Sequence, residues 1–200
     1  MTEFKDYECR AFGVCKRSDS QELCSYLSGL TDNRPEQITV HETRLVAPNK
    51  KLQLLCSRAQ PFPAGDASVW MVKLEGSMTR GKELMALPAA ARAVGRIQCY
   101  GADSLEFLQQ SLGFTEMHGT RKHGQRIQLC HDDFLLQVDV MQLDSISEAG
   151  TARPPPDGDY SMVEVSIYPV ADGQQLQACR AIGSLAGKLQ RFVTLRKLSS

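Results

Sequence analysis

The feature that most constrains the fold is a predicted order of elements, a strand, a helix and three strands, that the chain contains twice. The clearer copy lies between Ala93 and Leu143, where alternating residues predict strands and regularly spaced leucines predict one helix. The other copy lies between Glu3 and Glu75. The copies share the order of elements and little residue identity. Two such units can join edge to edge and close a barrel, which removes exposed strand edges.

The predicted fold class is therefore α+β, an antiparallel β-barrel of about eight strands built from a duplicated β-α-β-β-β unit with peripheral helices. The length of 200 residues is compatible with one substantial domain. The predicted segments are a single domain over 1–200, a first half at 3–75, a connecting loop with a short helical turn at 76–91, a second half at 92–143, a flexible Pro/Gly loop at 144–159, and a final strand, helix and tail at 160–200.

Short turns are expected between the strands of the second half. The predicted strands are Phe114 to Lys122, Gln125 to Cys130 and Phe134 to Leu143. His123-Gly124 and His131-Asp132-Asp133 stand between them, and Gly and Asp are residues that tight turns favour. The sequence thus predicts two hairpins in this half.

Composition and charge argue against several classes of function. Lys plus Arg and Asp plus Glu both number 23, which argues against a nucleic-acid binder that relies on phosphate neutralisation. No apolar run approaches the roughly 20 residues of a membrane span, and no secretory signal is recognisable. The seven cysteines form no C-x-x-C pair, so we expect mostly buried thiols in a reducing compartment. No motif predicts a cofactor, a metal site or a catalytic residue.

One charged pattern leaves a catalytic alternative open. Asp6, Glu8 and Arg10 alternate on one face of the first predicted strand. In a barrel with a polar interior, such carboxylates could hold a metal and such cations could hold a triphosphate. Five or more inward cations would be wanted, and the sequence does not supply them plainly; solvent-facing charges on a half-buried strand are the favoured interpretation. The further candidates for this interior are Lys73, Glu75, Arg92, Arg96, Gln128, Gln137, Asp139 and Glu164.

The last ten residues carry more apolar side chains than an exposed tail should have. Phe192, Val193, Leu195 and Leu198 are interleaved with basic residues. This segment could be a closing strand or could contact a partner protein, and we predict that these four residues contribute to a partner surface.

Several segments resemble the Mediator complex subunit 18 family. The most specific of them is a helix that ends in Leu112-Gly113-Phe114. The others are Leu23 to Leu30, Pro35-Glu36-Gln37, His41-Glu42, Arg92-Ala93-Val94, Ser104 to Leu108, the hairpin residues Gly119, Gly124 and Phe134, and Val163 to Ser166 before the final helix. Together these loose patterns cover most of the chain.

The resemblance implies a barrel related to the triphosphate tunnel and CYTH enzymes, without catalysis of its own. It further implies a nuclear subunit of the Mediator head module, a coactivator that links regulators to RNA polymerase II. The expected partners are Mediator subunit 20 in a heterodimer and a C-terminal helix of subunit 8, with no direct nucleic-acid or membrane contact. The alternative is a metal-dependent triphosphate tunnel (CYTH-type) phosphohydrolase or cyclase, for which barrel kinship alone is weak support.

Overall fold

A computed structural model describes residues 6–60, 69–101, 104–146, 152–153 and 159–198. The strands are β1 Asp6–Lys16, β2 Glu36–Val46, β3 Gln53–Gln60, β4 Val69–Met78, β5 Ala90–Tyr100, β6 Thr115–His131, β7 Phe134–Ile146, β8 Ala152–Arg153 and β9 Tyr160–Val170. The helices are α1 Ser20–Ser28, which follows a 3-10 turn at Arg17–Asp19, α2 Lys82–Ala86, α3 Ser104–Glu106, which continues as a π-helical turn at Phe107–Ser111, and α4 Gln175–Leu189.

Eight of these strands close into an antiparallel barrel. Their order around the wall is β6-β2-β3-β4-β5-β1-β9-β7, and pairing of β6 with β7 completes the circle. The short β8 adds only two residues beside the end of β7. Closure pairs the edges that an open sheet would expose to other chains. The predicted fold class is confirmed.

The duplicated unit is present, but its second copy extends further than predicted. The copies are β1-α1-β2-β3-β4 and β5-α3-β6-β7-β9, so β9 supplies a strand that the sequence placed before residue 143. The cause is β6, a single strand of 17 residues where two strands were predicted. The hairpin expected at His131-Asp132-Asp133 is confirmed, and both aspartates there have positive φ.

The turn predicted at His123-Gly124 is wrong. Gly124 lies inside β6, opposite Ile38 of β2 and Met141 of β7. A Cβ atom at this position would lie 2.1 Å from the carbonyl oxygen of Val140, so the glycine permits close approach of two backbones. A glycine within a strand often has this role, which sequence reasoning took for a turn signal.

The main hydrophobic core lies outside the barrel wall, beneath α1 and α4. Alternate residues of β1, β7 and β9 point outward into it and are almost completely buried, among them Cys9, Val138 and Val165. Leu27 of α1 and Leu185 of α4 cover them. A smaller cluster around Trp70 packs against the α3 region on another part of the wall. Because the apolar side chains of these strands point outward to the helices, the alternate side chains of the same strands point into the barrel.

The C-terminal tail completes the wall beside β1. Pairing of β1 with β5 stops at Arg10, and Phe12 then exchanges two backbone hydrogen bonds with Arg196, at 2.8 and 2.7 Å. Val193 and Leu195 are 3% and 5% exposed. The tail joins β1 through a single bridge and not as the closing strand that the sequence allowed, and intramolecular packing accounts for much of the tail's apolar character. Leu198 remains 58% exposed.

Two further expectations concern the cysteines and the loops. Five of the seven free cysteines are buried, Cys99 is half-buried and Cys130 is exposed. The predicted helical turn of the connecting loop is α2. Most of the flexible loop predicted at 144–159 lies outside the described residues.

None of the described helices combines the length and apolar character that a membrane crossing requires.

We expect Gly124→Ala to lower the free energy of unfolding by about 2 kcal/mol or more, because the new methyl group meets the β7 backbone. Gly187→Ala in α4 is the matched control. Its added Cβ has no neighbour within 4 Å, so better helix propensity should raise stability by about 0.5–1 kcal/mol. Urea unfolding of both variants measures the difference; a Gly124 variant as stable as the wild type would contradict the close approach.

Candidate functional site

The candidate site is the interior of the barrel, which we call the bore. Its wide end, where β1 finishes, opens into a cavity of about 1670 Å³, and its narrow end holds one of about 220 Å³. Both cavities are lined by the same six charged residues, which form the middle of the bore: Glu8, Arg10, Glu42, Lys73, Lys122 and Glu164. The middle of the bore is therefore charged.

Glu8 is the centre of this arrangement. It is 4% exposed, and its carboxylate accepts hydrogen bonds from Lys73 of β4 and Arg96 of β5. Nε of Arg10, on the same strand as Glu8, lies 3.0 Å from the carboxylate. Strand pairing explains the convergence, since Lys73 and Arg96 are directly opposite each other and β5 is the neighbour of β1. Three cations from three adjacent strands thus surround one buried carboxylate.

Glu75 extends the network along β4. Its carboxylate accepts a hydrogen bond from Arg10 and lies 3.1 Å from Nζ of Lys73. Burial disfavours the charged form of Glu75, but Arg10 and Lys73 outweigh that effect and lower its pKa to about 2. Glu75 is thus ionised at neutral pH.

The opposite side of the bore has its own ion pairs. Arg126 of β6 makes a two-pronged contact with Asp139 of β7, with both N···O distances at 2.8 Å. Lys122 of β6 lies 2.7 Å from Glu42 of β2. Glu164 of β9 lies 3.7 Å from Arg10; burial raises its pKa, although Lys122 and Arg10 oppose the rise.

The bore corrects one interpretation made from the sequence. Glu8 and Arg10 face inward, not to solvent, and the five inward cations that seemed unavailable are present. These cations are Arg10, Lys73, Arg96, Lys122 and Arg126, and the carboxylates that pair with them are Glu8, Glu42, Glu75, Asp139 and Glu164. Five positive and five negative groups balance, so the paired bore residues carry no net charge when all are ionised.

This pairing limits the chemistry of the bore. Binding a metal–triphosphate needs carboxylates grouped on the metal and cations free for the phosphate oxygens. Here each of these carboxylates contacts a cation instead. Among the described residues, no group of three or more His, Cys, Asp or Glu side chains is placed to hold a metal ion. Asp6 lies apart from the Glu8 cluster and accepts a hydrogen bond from the Tyr168 hydroxyl at 3.4 Å.

Most residues named from the sequence do reach the interior. Lys73, Glu75, Arg96, Asp139 and Glu164 belong to the ion pairs above. The remaining three also line the bore: Arg92 lies at the wide end, Gln128 and Gln137 at the narrow end, and Gln137 donates to Asp139 at 3.0 Å.

Sequence reasoning missed Glu42, Lys122 and Arg126. The turn assigned to His123-Gly124 interrupted the alternation of β6 between Lys122 and Arg126. Reading residues 115–131 as one strand would have placed both cations on the face of Gln128. Glu42 and Arg44 lie two residues apart on β2 and so share the face that lines the bore, and this alternation of charged residues was the available signal for Glu42.

The residues predicted to contact a partner divide between core and bore. Val193 and Leu195 belong to the main core, Phe192 and Val193 also reach the wide cavity, and Leu198 lies exposed at its edge. Val193 and Leu195 are largely buried, whereas Leu198 is exposed. The assignment of the four residues to a partner surface stays a prediction.

Comparison with solved structures shows that the fold is shared with known barrels. A chain of the Schizosaccharomyces pombe Mediator head module aligns with a TM-score of 0.73 at 15% identity, over 96% of this chain and 98% of that one. A putative adenylate cyclase from Vibrio parahaemolyticus aligns with a TM-score of 0.55 at 12% identity, over 96% and 91%.

A putative adenylyl cyclase from Hippeastrum with a dominant triphosphatase activity aligns with a TM-score of 0.51 at 11% identity, over 93% of this chain and 87% of that one. No protein-family model matches the chain, and no curated protein matches it. At these identities the likeness establishes the fold alone.

We expect Glu8→Gln to destabilise the fold by about 3–5 kcal/mol, because it leaves buried cations without their carboxylate. Glu83→Gln is the control: Glu83 pairs with Arg180 at 2.6 Å with both side chains at least 60% exposed, so its loss should change stability by no more than about 0.5 kcal/mol. Chemical unfolding distinguishes them. Equal, small effects would mean that the Glu8 cluster contributes nothing to stability.

The lowered pKa of Glu75 predicts acid sensitivity. Its folded pKa of about 2 is below the ordinary value of 4.5, so its stabilising effect is complete above pH 4.5 and is lost as pH falls toward 2. We expect the free energy of unfolding to fall through this window, and to fall less in Glu75→Gln. Unfolding curves recorded across the window measure both slopes, and identical slopes would exclude Glu75 as a source of the effect.

Proposed function

We propose that this chain is a non-catalytic interaction subunit of the Mediator head module, in which it helps to connect regulators with RNA polymerase II. The observation that carries the proposal is the mutual neutralisation of the paired residues inside the bore, where five cations face five carboxylates. A tunnel that binds a polyanion needs cations that no carboxylate already occupies. Likeness to the head-module chain over nearly the full length supports the same proposal.

The ion pairs have a structural use in such a subunit. They join neighbouring strands on the inner side of the wall, while α1 and α4 cover the wall from outside. The result is a rigid cylinder whose accessible surface is available for contacts with other proteins. Exposed apolar side chains add to that surface near α3, including Tyr100 at 69% and Phe107 at 58% exposure.

The proposed partners are Mediator subunit 20, in a heterodimer, and a C-terminal helix of subunit 8, with the RNA polymerase II machinery reached through the assembled module. A subunit of this kind works in the nucleus, as a transcription coactivator. The proposal assigns no cofactor or metal, and no direct contact with nucleic acid or membrane.

A metal-dependent triphosphate hydrolase or cyclase is the second candidate. It is favoured by the inward position of Glu8 and Arg10 and by the fold shared with two putative cyclases. For this activity the substrate would have to displace carboxylates from Arg10, Lys73 and Arg96, which makes it the weaker candidate.

We expect the full chain to form a stable heterodimer with subunit 20 of its own species, and a ternary complex when the C-terminal helix of subunit 8 is added. Co-expression followed by size-exclusion chromatography measures this. Arg126→Gln, inside the bore, is expected to leave co-elution intact if the variant melts as a folded protein. Separate elution of the folded partners would reject the proposal.

The same preparation decides the second candidate. Phosphate release from inorganic triphosphate with Mg²⁺ or Mn²⁺ should stay at background in the wild type and in Asp6→Ala/Glu8→Ala. Metal-dependent turnover in the wild type would establish the enzyme and displace the scaffold proposal, and its loss in a double variant that still melts as a folded protein would assign the turnover to these carboxylates.

A further inference from the structure

The wide end of the bore has a different charge balance from its middle. Nine Lys and Arg side chains and four Glu side chains line this cavity. Arg10, Lys73 and Lys122 pair with those glutamates. Six cations remain that have no carboxylate within ion-pair distance among the described residues: Arg44, Lys51, Arg92, Arg191, Arg196 and Lys197. We call this group the basic mouth.

Several members of the basic mouth are held in place without being neutralised. Arg191 stacks on the rings of Tyr26 and Phe192, at 4.8 and 4.3 Å from their centroids. Nη1 of Arg44 donates to the Gln53 amide at 3.2 Å, while its buried Nε has no acceptor in the described protein. A buried donor without a protein acceptor is rare in folded proteins, so this Nε can donate to a further polar partner such as a carboxylate or a water.

Apolar side chains stand beside these cations. Val14 of β1, Tyr160 of β9 and Leu198 of the tail line the same cavity and are 64%, 49% and 58% exposed. The β1–β9 register brings the first two to one end of the barrel, since Val14 pairs with Met162 and Lys16 pairs with Tyr160. The mouth therefore combines unpaired positive charge with exposed apolar surface.

We infer that the basic mouth is a docking site for an acidic segment of a partner protein that carries large apolar side chains. Asp and Glu of that segment would accept charge-assisted hydrogen bonds from Arg44, Arg92 and Arg196, while its apolar residues cover Val14 and Leu198. The inference rests on the proposed function, because it assigns one partner-binding face to an interaction subunit.

The size and composition of the mouth favour a peptide over other anions. Its cavity of about 1670 Å³ exceeds the roughly 300–1,000 Å³ of small-molecule pockets. The cations come from β2, the β2–β3 connection, β5 and the tail, so together they can contact several acidic groups of an extended segment. Protein surfaces that bind nucleic acid are mainly polar and positive, and exposed Val14 and Leu198 would gain nothing from a phosphate backbone.

A labelled peptide in which Asp and Glu alternate with Leu and Phe tests the inference by fluorescence anisotropy on the full chain. We expect saturable binding that weakens with added salt. Arg92→Gln/Arg196→Gln should lower the affinity about tenfold, and Leu198→Ser should also weaken it. The control, Arg34→Gln/Arg121→Gln, removes two exposed cations that do not line the bore and should bind as the wild type does.

Thermal melts establish that each variant is folded. If the Arg92 variant is not, Lys51→Glu/Arg196→Glu takes its place, since both side chains are exposed. Equal affinity of wild type and mouth variants overturns the inference. So does equally tight binding of a peptide with Ser for Leu and Phe, or displacement of the peptide by inorganic triphosphate or a DNA duplex. Co-elution with subunit 20 is measured separately, so loss of peptide binding with intact co-elution rejects the docking site and leaves the proposed function standing.

Discussion

The Glu8 cluster is the interaction on which the arrangement of the bore depends. One carboxylate at 4% exposure receives Lys73, Arg96 and Arg10 from three neighbouring strands. An isolated buried charge is costly, and it is tolerated only where opposite charges and hydrogen bonds surround it. A shift of any of these strands by one residue would turn its charged side chain out of the bore and leave the others unpaired. The cluster therefore favours one strand register over its neighbours.

A closed barrel with external helices has two buried faces, and this explains what could be predicted. Alternation along β1 and β4 correctly separated Cys9 from Glu8 and Trp70 from Lys73. This alternation does not reveal which face is covered by helices and which face lines the bore, because both faces are removed from bulk water. The charged face was therefore assigned to solvent, and the ion pairs among Glu8, Lys73 and Arg96 depend on registers of separate strands that periodicity does not contain.

The misread strand had a specific cause. Glycine is a turn residue in most short-range patterns, and Gly124 follows a histidine between two β-like runs. Its actual role, close contact with the Val140 carbonyl, is a tertiary property. That single assignment broke the parity of β6, which concealed Lys122 and Arg126 and moved the end of the second unit from β9 to residue 143. The closed barrel was still predictable, because the order of the elements survived the error.

The contrast between the middle of the bore and its wide end argues for two different roles on one fold. An anion entering the middle must break contacts such as the Lys122–Glu42 ion pair and leave a carboxylate buried without its cation, a cost of several kcal/mol per pair. At the basic mouth the same anion meets Arg92 and Arg196 with no carboxylate to displace among the described residues. The space inside the barrel is thus large enough for an anion, but the ion pairs of its middle make anion binding there unfavourable. Attraction for anions begins where the ion pairs end, so a negatively charged partner is held at the rim and does not pass through the cylinder.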